Sequence, residues 1–289
     1  MSELLSSAGL PDKGEVRMPS YDRLLVASSK GGVGKSTAAL GLAAEFARLG
    51  KRVLLADLDS TSRSLDLLLG CEDRALFTFA DLFTDTPPEK IPLIPDESLP
   101  TLSLLPAMTA ADARRLARER ETTSAQLVRE GLERLLDTLL DREGGFDILV
   151  CDTGGGLDEA CAAADLFPFV LVVSEQSQTS IRAAEYAATR LERAGAGLLR
   201  LCVCSFDLGA VRREKRAGMI EMIDSSALQC VGVIPFDKTL QRAQDRGSLP
   251  DRRSLTAAAC RNIARRIMGY GVPLFDGMPG LARKTRLAL

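Results

Sequence analysis

The chain has 289 residues, of which 46% are hydrophobic and 26% charged, a composition typical of a globular protein with a large buried core. It carries 37 Lys and Arg against 39 Asp and Glu, so its bulk charge of −2 favours neither a nucleic acid nor an anionic surface as a partner. It has no histidine, which excludes Ser-His-Asp triads and histidine-ligated metals.

The chain divides into three parts along its length. Residues 1–20 are rich in Ser, Gly, Pro and mixed charges, and we predict a flexible tail without the apolar core of a signal peptide. Residues 21–270 carry the apolar patterns of one globular domain, and residues 271–289 form a basic tail. The last forty residues carry eight Arg or Lys against two Asp, which is either a solvated face or a contact for nucleic acid or anionic lipid.

Short apolar runs alternate with longer helical patterns in residues 21–270. We predict strands at 23–28, 52–58, 101–105, 146–151, 168–174, 198–204 and 229–234. We predict helices at 35–49, 73–83, 124–142, 178–194, 212–223, 239–246 and 254–268, an irregular connection at 84–100, and a helix or a flexible excursion at 109–123. Several strands are apolar throughout, which is typical of strands covered on both faces. The pattern predicts an α/β fold: a doubly wound, mostly parallel β-sheet with helices on both faces.

The seven cysteines form no C-x-x-C pair, and most are interpreted as small core residues of a reduced, cytoplasmic protein. Cys202 and Cys204 alternate within an apolar run, so both are expected on one face of a strand. This spacing disfavours a role for the cysteines in a metal site or cluster.

A glycine-rich run, Ser28–Thr37, follows the first predicted strand and opens the first predicted helix. In this context such a run binds phosphate, because the glycines let backbone N–H groups converge on an anion and the helix adds the positive end of its dipole. Lys35 is placed to reach the outer phosphates, and the Ser36 hydroxyl suits Mg²⁺. The run departs from the usual motif in two ways: Ser29 replaces the first glycine, and a second lysine, Lys30, stands at the entrance.

Carboxylates end two further predicted strands. Asp57 and Asp59 alternate at the end of the second strand, so both face the same way at the edge where open α/β sheets bind ligands. One of them could orient a water on a phosphate while the other held Mg²⁺ through water. The strand at 146–151 runs into Asp152, where phosphate-loop enzymes keep the carboxylate of the magnesium shell. The three glycines 154–156 follow, in a loop able to bring an N–H near a γ-phosphate.

The run Lys30–Thr37 resembles the deviant Walker A box of the MinD/ParA ATPases, of which the extra lysine is the signature residue. Further runs resemble the MinD branch, the septum site-determining proteins, in particular: residues 57–59 with 64–72, 104–107, 150–152 and 231–235. The resemblance extends over about residues 22–270 and implies the P-loop NTPase fold of that family.

The resemblance implies a role for each matching position. Lys35 would contact the phosphates of its own nucleotide, and Lys30 those of the partner in a nucleotide-sandwich dimer. Asp59 would place the attacking water, and Mg²⁺ would be held by Ser36 with Asp57 and Asp152 in its shell. The nucleotide, ATP or ADP, would be bound by Gly31, Gly32, Val33, Gly34, Lys35, Ser36, Thr37, Asp57, Gly155, Asp207, Pro235 and Asp237, with Thr37 beside the α-phosphate and the last three near the base.

The implied function is slow ATP hydrolysis that switches the protein between a monomer and an ATP-dependent homodimer. The resemblance assigns that switch to the spatial regulation of cell division, with an activating protein partner. It places the protein in the cytoplasm, with the dimer peripheral at the inner face of the cell membrane. Lys30 has a use only when a second subunit arrives, which makes ATP the signal for dimerisation and hydrolysis the timer.

The sequence departs from the family pattern after the P-loop. The loop after Asp152 lacks the family's proline, and residues 202–207 lack the asparagine expected near the base. Residues 280–289 interleave basic and apolar residues instead of separating them as an amphipathic membrane helix does. Four alternatives therefore stay open: a ParA-type partitioner that holds non-specific DNA through basic residues such as 212–216, a FlhG-type flagellar number regulator, a reductase similar to the nitrogenase iron protein, and a scaffold that binds ATP without turnover.

Overall fold

The computed structural model describes residues 21–140, 145–213, 216–278 and residue 281. The strands are β1 (Arg23–Ala27), β2 (Val53–Asp57), β3 (Ile94–Pro95), β4 (Leu102–Leu105), β5 (Ile148–Asp152), β6 (Phe169–Glu175), β7 (Leu198–Phe206) and β8 (Cys230–Pro235). The α-helices are α1 (Lys35–Arg48), α2 (Ser64–Leu68), α3 (Ala110–Glu119), α4 (Ser124–Leu135), α5 (Asp158–Ala163), α6 (Gln178–Arg193), α7 (Leu208–Arg212), α8 (Met219–Ser226), α9 (Lys238–Gln244) and α10 (Leu255–Ile267).

The strands form one sheet in the order β3-β4-β2-β5-β1-β6-β7-β8. Every neighbouring pair is parallel except β3 with β4, which is antiparallel. The chain leaves β1 for β2 on one side and later fills the other side with β6, β7 and β8, so the winding reverses beside β1. Ligands of such sheets bind beyond the carboxyl ends of the strands at this reversal. The doubly wound, mostly parallel α/β fold predicted from the sequence is confirmed.

Both faces of the sheet are covered, which explains the apolar strands. Along β1, Leu24 and Val26 belong to a core that contains buried residues of α1 and α10. Leu25 and Ala27 belong to the core on the opposite face, with buried residues of α4, α5 and α6. Alternate residues of a strand point to opposite faces, so a strand with helices on both sides has no position for a solvated side chain.

The helix predicted at 73–83 is wrong. Residues 73–83 form two 3-10 turns instead, Glu72–Arg74 and Phe79–Phe83. Between them Thr78 is extended and caps the second turn: its hydroxyl accepts from the Ala80 N–H, and its own N–H donates to Asp81. A cap of this kind ends one element and starts another, so the apolar spacing across it does not belong to a continuous helix.

Other boundaries differ more modestly. The segment 109–123 contains the helix α3, capped by the Thr109 hydroxyl, and not a flexible excursion. The helix predicted at 212–223 is also wrong: α7 ends at Arg212, and α8 begins at Met219, after the extended Gly218. Within 84–100 the structure places one 3-10 turn, Pro88–Lys90, and the edge strand β3.

The predictions for the cysteines and for the two tails have different outcomes. Cys202 and Cys204 are both buried in the core that holds α1 and α10, which confirms that they share one face of β7. The predicted tail 1–20 and all the basic residues of 280–289 lie outside the described ranges. Within those ranges, helices are too short or too polar to cross a bilayer.

Candidate active site

The loop between β1 and α1 has the backbone of an anion-binding turn. Gly32 and Gly34 have φ angles of 75° and 94°, a left-handed conformation that favours glycine. Gly34 also leaves little space for a side chain, because a Cβ there would lie 3.1 Å from the Cβ of Cys204. In the described chain, α1 begins without a side-chain cap and without an acidic residue in its first turn. Its first N–H groups and the positive end of its dipole are therefore available to an anion.

A cavity of about 720 Å³ opens over this loop. Four segments meet around it: the phosphate loop, the segment that follows β2, the glycine loop that follows β5, and the end of α9. Its lining includes Gly31, Gly32, Gly34, Lys35, Ser36, Thr37, Asp59, Ser64, Gly154, Gly155, Gly156 and Gln244. The structure thus brings together most of the residues that the sequence assigns to phosphates, magnesium and water.

Asp57, the last residue of β2, and Asp59, two residues later, differ in burial and in their hydrogen bonds. Asp57 is buried, and its oxygens accept the N–H groups of Asp59 at 2.9 Å and Leu65 at 3.2 Å. Burial raises the pKa of Asp57 to about 7, against the lowering effect of these hydrogen bonds. Asp59 is less buried and lines the cavity, and its Oδ1 accepts from the N–H groups of Thr61 and Ser62, each at 3.0 Å. Asp57 is therefore held by backbone hydrogen bonds in the interior, whereas Asp59 faces the cavity.

Asp152 is a fully buried carboxylate without a hydrogen-bond partner for either oxygen among the described residues. It pairs in register with Asp57 across β2 and β5. Burial raises its pKa to about 8; the Ser36 hydroxyl nearby lowers it, the Asp57 charge raises it, and the Lys35 ammonium lowers it. Buried polar atoms without partners are rare in proteins, and a bound ion is one way to satisfy them.

The residues around Asp152 fit a magnesium ion. Oxygen donors are the ligands that Mg²⁺ prefers, and it keeps several waters in its shell. The Ser36 hydroxyl is close to Asp152 and accepts a hydrogen bond from the Ser64 hydroxyl at 2.9 Å. A divalent cation here would satisfy the unpaired oxygens of Asp152 and stabilise the ionised form of both buried carboxylates. Asp57, with its oxygens bonded to the backbone, is placed to act on such an ion through water.

The glycine loop after β5 packs between the phosphate loop and Asp59. Thr153 anchors it, because its hydroxyl donates to the Val26 carbonyl at 2.9 Å. A Cβ on Gly154 would lie 3.3 Å from the Asp59 carboxylate, and a Cβ on Gly155 would lie 3.5 Å from Gly31. The loop is therefore in contact with both the phosphate loop and Asp59.

Lys30 is turned toward its own chain. Its Nζ lies 2.7 Å from Glu175 Oε1, at the end of β6, and 2.7 Å from the Ser180 hydroxyl, in the first turn of α6. Beside it, the Ser29 hydroxyl donates to the Ala183 carbonyl at 2.6 Å. The resemblance implies that Lys30 contacts a partner's phosphates, but within the single chain its ammonium forms an ion pair with Glu175.

The residues predicted to lie near the base are only partly brought together. Asp207 and Pro235 line a second cavity of about 520 Å³, at the carboxyl ends of β7 and β8. The Asp207 N–H donates to Gln176 Oε1 at 2.6 Å, which holds this loop in place. The carboxylate of Asp237 makes structural hydrogen bonds: it caps α9 and accepts from the Thr256 hydroxyl at 3.1 Å.

Three residues of the site were missed by the sequence reasoning. Ser64 bonds Ser36, Glu175 bonds Lys30, and Gln244 donates to the Thr37 hydroxyl at 2.7 Å. Ser64 opens the helix that follows Asp59, which is a local signal. Glu175 and Gln244 carry no local signal, because their contacts join segments that are 145 and 207 residues apart.

Comparison with known proteins gives one consistent family. Residues 24–250 match the CobQ/CobB/MinD/ParA nucleotide binding domain. The septum site-determining protein MinD of Synechocystis sp. is 30% identical over 262 residues, which cover 88% of this chain and 92% of that protein. MinD in the MinC:MinD cell division protein complex of Aquifex aeolicus has a TM-score of 0.73 at 26% identity, covering 88% of this chain and 98% of that one. MinD from Pyrococcus horikoshii OT3, complexed with Mg-ADP, shares the fold at 20% identity, with a TM-score of 0.70 and coverage of 85% and 95%.

Proposed function

Because this chain belongs to the CobQ/CobB/MinD/ParA family of nucleotide-binding domains, we propose that it is a MinD-like ATPase that binds ATP with Mg²⁺ and dimerises on ATP. In this proposal slow hydrolysis returns the dimer to monomers, and the switch serves the placement of the division site. The observation that carries the proposal is the uncapped start of α1 beside the unpartnered carboxylate of Asp152. The helix start suits an anion, and the buried carboxylate next to Ser36 suits a cation, a combination that a magnesium nucleotide provides.

The phosphate loop would bind the nucleotide through its backbone. The N–H groups of Gly31–Gly34 and of the first turn of α1 would hold the phosphate oxygens, with Lys35 at the outer phosphates. Ser36 and Asp152 would hold the magnesium ion, with Asp57 behind it. That ion would supply charge neutralisation at the bridging and terminal phosphate oxygens.

Asp59 would position the water for hydrolysis. Its Oδ1 is fixed by two backbone N–H groups, which leaves Oδ2 for the attacking water. The water oxygen would form a bond to the γ-phosphorus as the bond to the bridging oxygen of ADP breaks, and the water proton would pass toward Asp59. The glycine loop 154–156, in contact with Asp59 and Gly31, is placed to respond to the presence of the γ-phosphate.

The dimer would bring a second lysine to each nucleotide. Lys30 would leave Glu175 and cross to the partner's phosphates, where a further positive charge stabilises a phosphate-rich interface. A relative of this chain is found in a complex named MinC:MinD, which supports an activating or effector protein as a further partner. The surface on which the dimer acts is assigned here to an anionic membrane, with plain duplex DNA as the alternative of a ParA-type partitioner.

Nucleotide binding tests the proposal directly. Titration of wild-type protein with a fluorescent ADP in Mg²⁺ should show saturable binding that Lys35→Ala abolishes and that chelation of Mg²⁺ weakens. Lys90→Ala is the matched control, because Lys90 is exposed and far from the loop in sequence. Equal binding by wild type and Lys35→Ala would contradict the assignment of the phosphate loop.

A further inference from the structure

Gln244 connects a distant helix to the phosphate loop. It is the last residue of α9, and its Nε2 donates to the Thr37 hydroxyl at 2.7 Å. It also lines the 720 Å³ cavity together with the phosphate loop and the glycine loop after β5. Gln244 is half-buried, whereas Gln241, one turn earlier in α9, is exposed.

The bond determines what the Thr37 hydroxyl can do. A hydroxyl has one hydrogen to donate and two lone pairs to accept, and Gln244 donates into one of those lone pairs. The hydroxyl hydrogen of Thr37 is thereby left to donate elsewhere. Thr37 lies in the first turn of α1, where the helix start attracts an anion. A threonine in this position can donate that hydrogen to a phosphate oxygen.

A close backbone contact fixes Gln244 at this position. The turn after α9 ends at Gly247, whose φ is 59°. A Cβ on Gly247 would lie 2.4 Å from the Cα of Gly70, and a Cβ on Gly70 would lie 2.8 Å from the Gly247 carbonyl. This turn is therefore pressed against the end of α2, the helix whose first residue, Ser64, bonds Ser36. The contact therefore joins the turn after Gln244, which bonds Thr37, to the segment that begins with Ser64, which bonds Ser36.

We infer that Gln244 is a positioning residue for the nucleotide: it orients the Thr37 hydroxyl toward the α-phosphate. The inference rests on the proposed function, and it adds a contact that distinguishes the two ends of the phosphate chain. The α-phosphate is common to ADP and ATP, so Gln244 acts on both nucleotides. Lys30, in contrast, acts only where a γ-phosphate brings the dimer together.

Affinity measurements on nucleotide-binding variants test this inference. Gln244→Ala should weaken the binding of Mg-ADP and of a non-hydrolysable Mg-ATP analogue by the same factor, about tenfold, as expected for loss of a hydrogen bond to a charged group. Gln241→Ala, at the exposed position one turn earlier in the same helix, should leave both affinities unchanged. The unfolding midpoint of the nucleotide-free Gln244→Ala protein should equal that of wild type.

A double-mutant cycle separates positioning from a general loss of structure. If Gln244 acts through Thr37, adding Gln244→Ala to Thr37→Val should cause little further loss of affinity. Additive losses, or unchanged affinity in Gln244→Ala, would overturn the inference while the proposed function stood. A loss confined to the ATP analogue would overturn the placement at the α-phosphate. Failure of the wild-type protein to bind either nucleotide would instead overturn the proposed function.

Discussion

The Nζ of Lys30 lies 2.7 Å from Oε1 of Glu175, so the lysine at the entrance of the phosphate loop is paired within its own chain. The ion pair and the nearby Ser180 hydroxyl lower the pKa of Glu175 below its ordinary value of 4.5, with Lys30 as the main cause. The pair therefore persists at neutral pH and is lost only in acid. Any role of Lys30 at a partner's nucleotide must begin with the breaking of this pair.

Glu175→Gln should promote dimerisation. The substitution removes the charge that holds Lys30, and a pair about one-third exposed contributes only modestly to stability. The dimer formed with a non-hydrolysable Mg-ATP analogue should therefore have a dissociation constant a few-fold lower than that of wild type, measured by analytical ultracentrifugation. Glu185→Gln, an exposed glutamate on α6, is the control. A weaker dimer in Glu175→Gln would show that Glu175 supports the interface and does not retain Lys30.

Asp59→Asn should separate binding from hydrolysis. If the carboxylate positions the attacking water, phosphate release should fall at least about 100-fold, while the affinity for Mg-ATP stays within a few-fold of wild type. Asp73→Asn, at an exposed position, serves as the control. Loss of nucleotide binding in Asp59→Asn would contradict the assigned role, because it would make Asp59 part of the binding site.

Asp152→Asn should change the pH dependence of stability. The pKa of Asp152 is raised to about 8 in the folded protein, so between pH 4 and pH 8 the folded state holds a proton that the unfolded state has released. The free energy of unfolding of the nucleotide-free protein should fall as the pH rises through this range. Asparagine cannot titrate, so the variant should gain stability relative to wild type by a few kcal/mol between pH 5 and pH 9, at about 1.4 kcal/mol per pKa unit.

Urea unfolding at several pH values measures this difference. Asp73→Asn should follow the wild-type curve at every pH, because Asp73 is exposed. Mg-ADP should stabilise wild type but have a much smaller effect on Asp152→Asn, which lacks the charge for the cation. Parallel curves for wild type and Asp152→Asn would contradict the assignment of a buried, cation-dependent carboxylate.

The basic end of the chain should decide the surface on which the dimer acts. Removal of residues 282–289 takes away Arg283, Lys284 and Arg286. If these residues anchor the dimer, full-length protein with Mg-ATP should sediment with anionic liposomes, and the shortened chain should not. If the full-length protein does not sediment with liposomes but shifts the gel mobility of plain duplex DNA in a strongly salt-dependent way, the ParA-type alternative is favoured.

The sequence was sufficient for the sheet because its signals are local. All seven predicted strands occur within two residues of their predicted bounds, and the phosphate loop follows β1 as expected. The edge strand β3, only Ile94–Pro95, has too few residues to produce an alternating pattern. The helix predicted at 73–83 failed because Thr78 caps a separate turn, a preference that competes with apolar spacing.

In the candidate site, too, some residues carry a local sequence signal and others do not. Lys35, Ser36, Asp59 and Asp152 could be predicted from their positions at the ends of strands and at the start of a helix. The contacts of Gln244 could not, because they depend on the close approach of Gly247 to Gly70, which only the folded chain reveals. Glu175 is similar: a glutamate at the end of an apolar strand does not indicate which lysine it pairs with.

Light scattering coupled to size exclusion tests the central claim, that ATP joins two chains through Lys30. With Mg-ATP, Asp59→Asn should elute at twice the mass that it has with Mg-ADP. The double variant Lys30→Ala with Asp59→Asn should bind Mg-ATP and remain at the mass of one chain, 31.0 kDa. An equal shift to twice that mass with and without Lys30, or the absence of any shift in Asp59→Asn with Mg-ATP bound, would contradict the account.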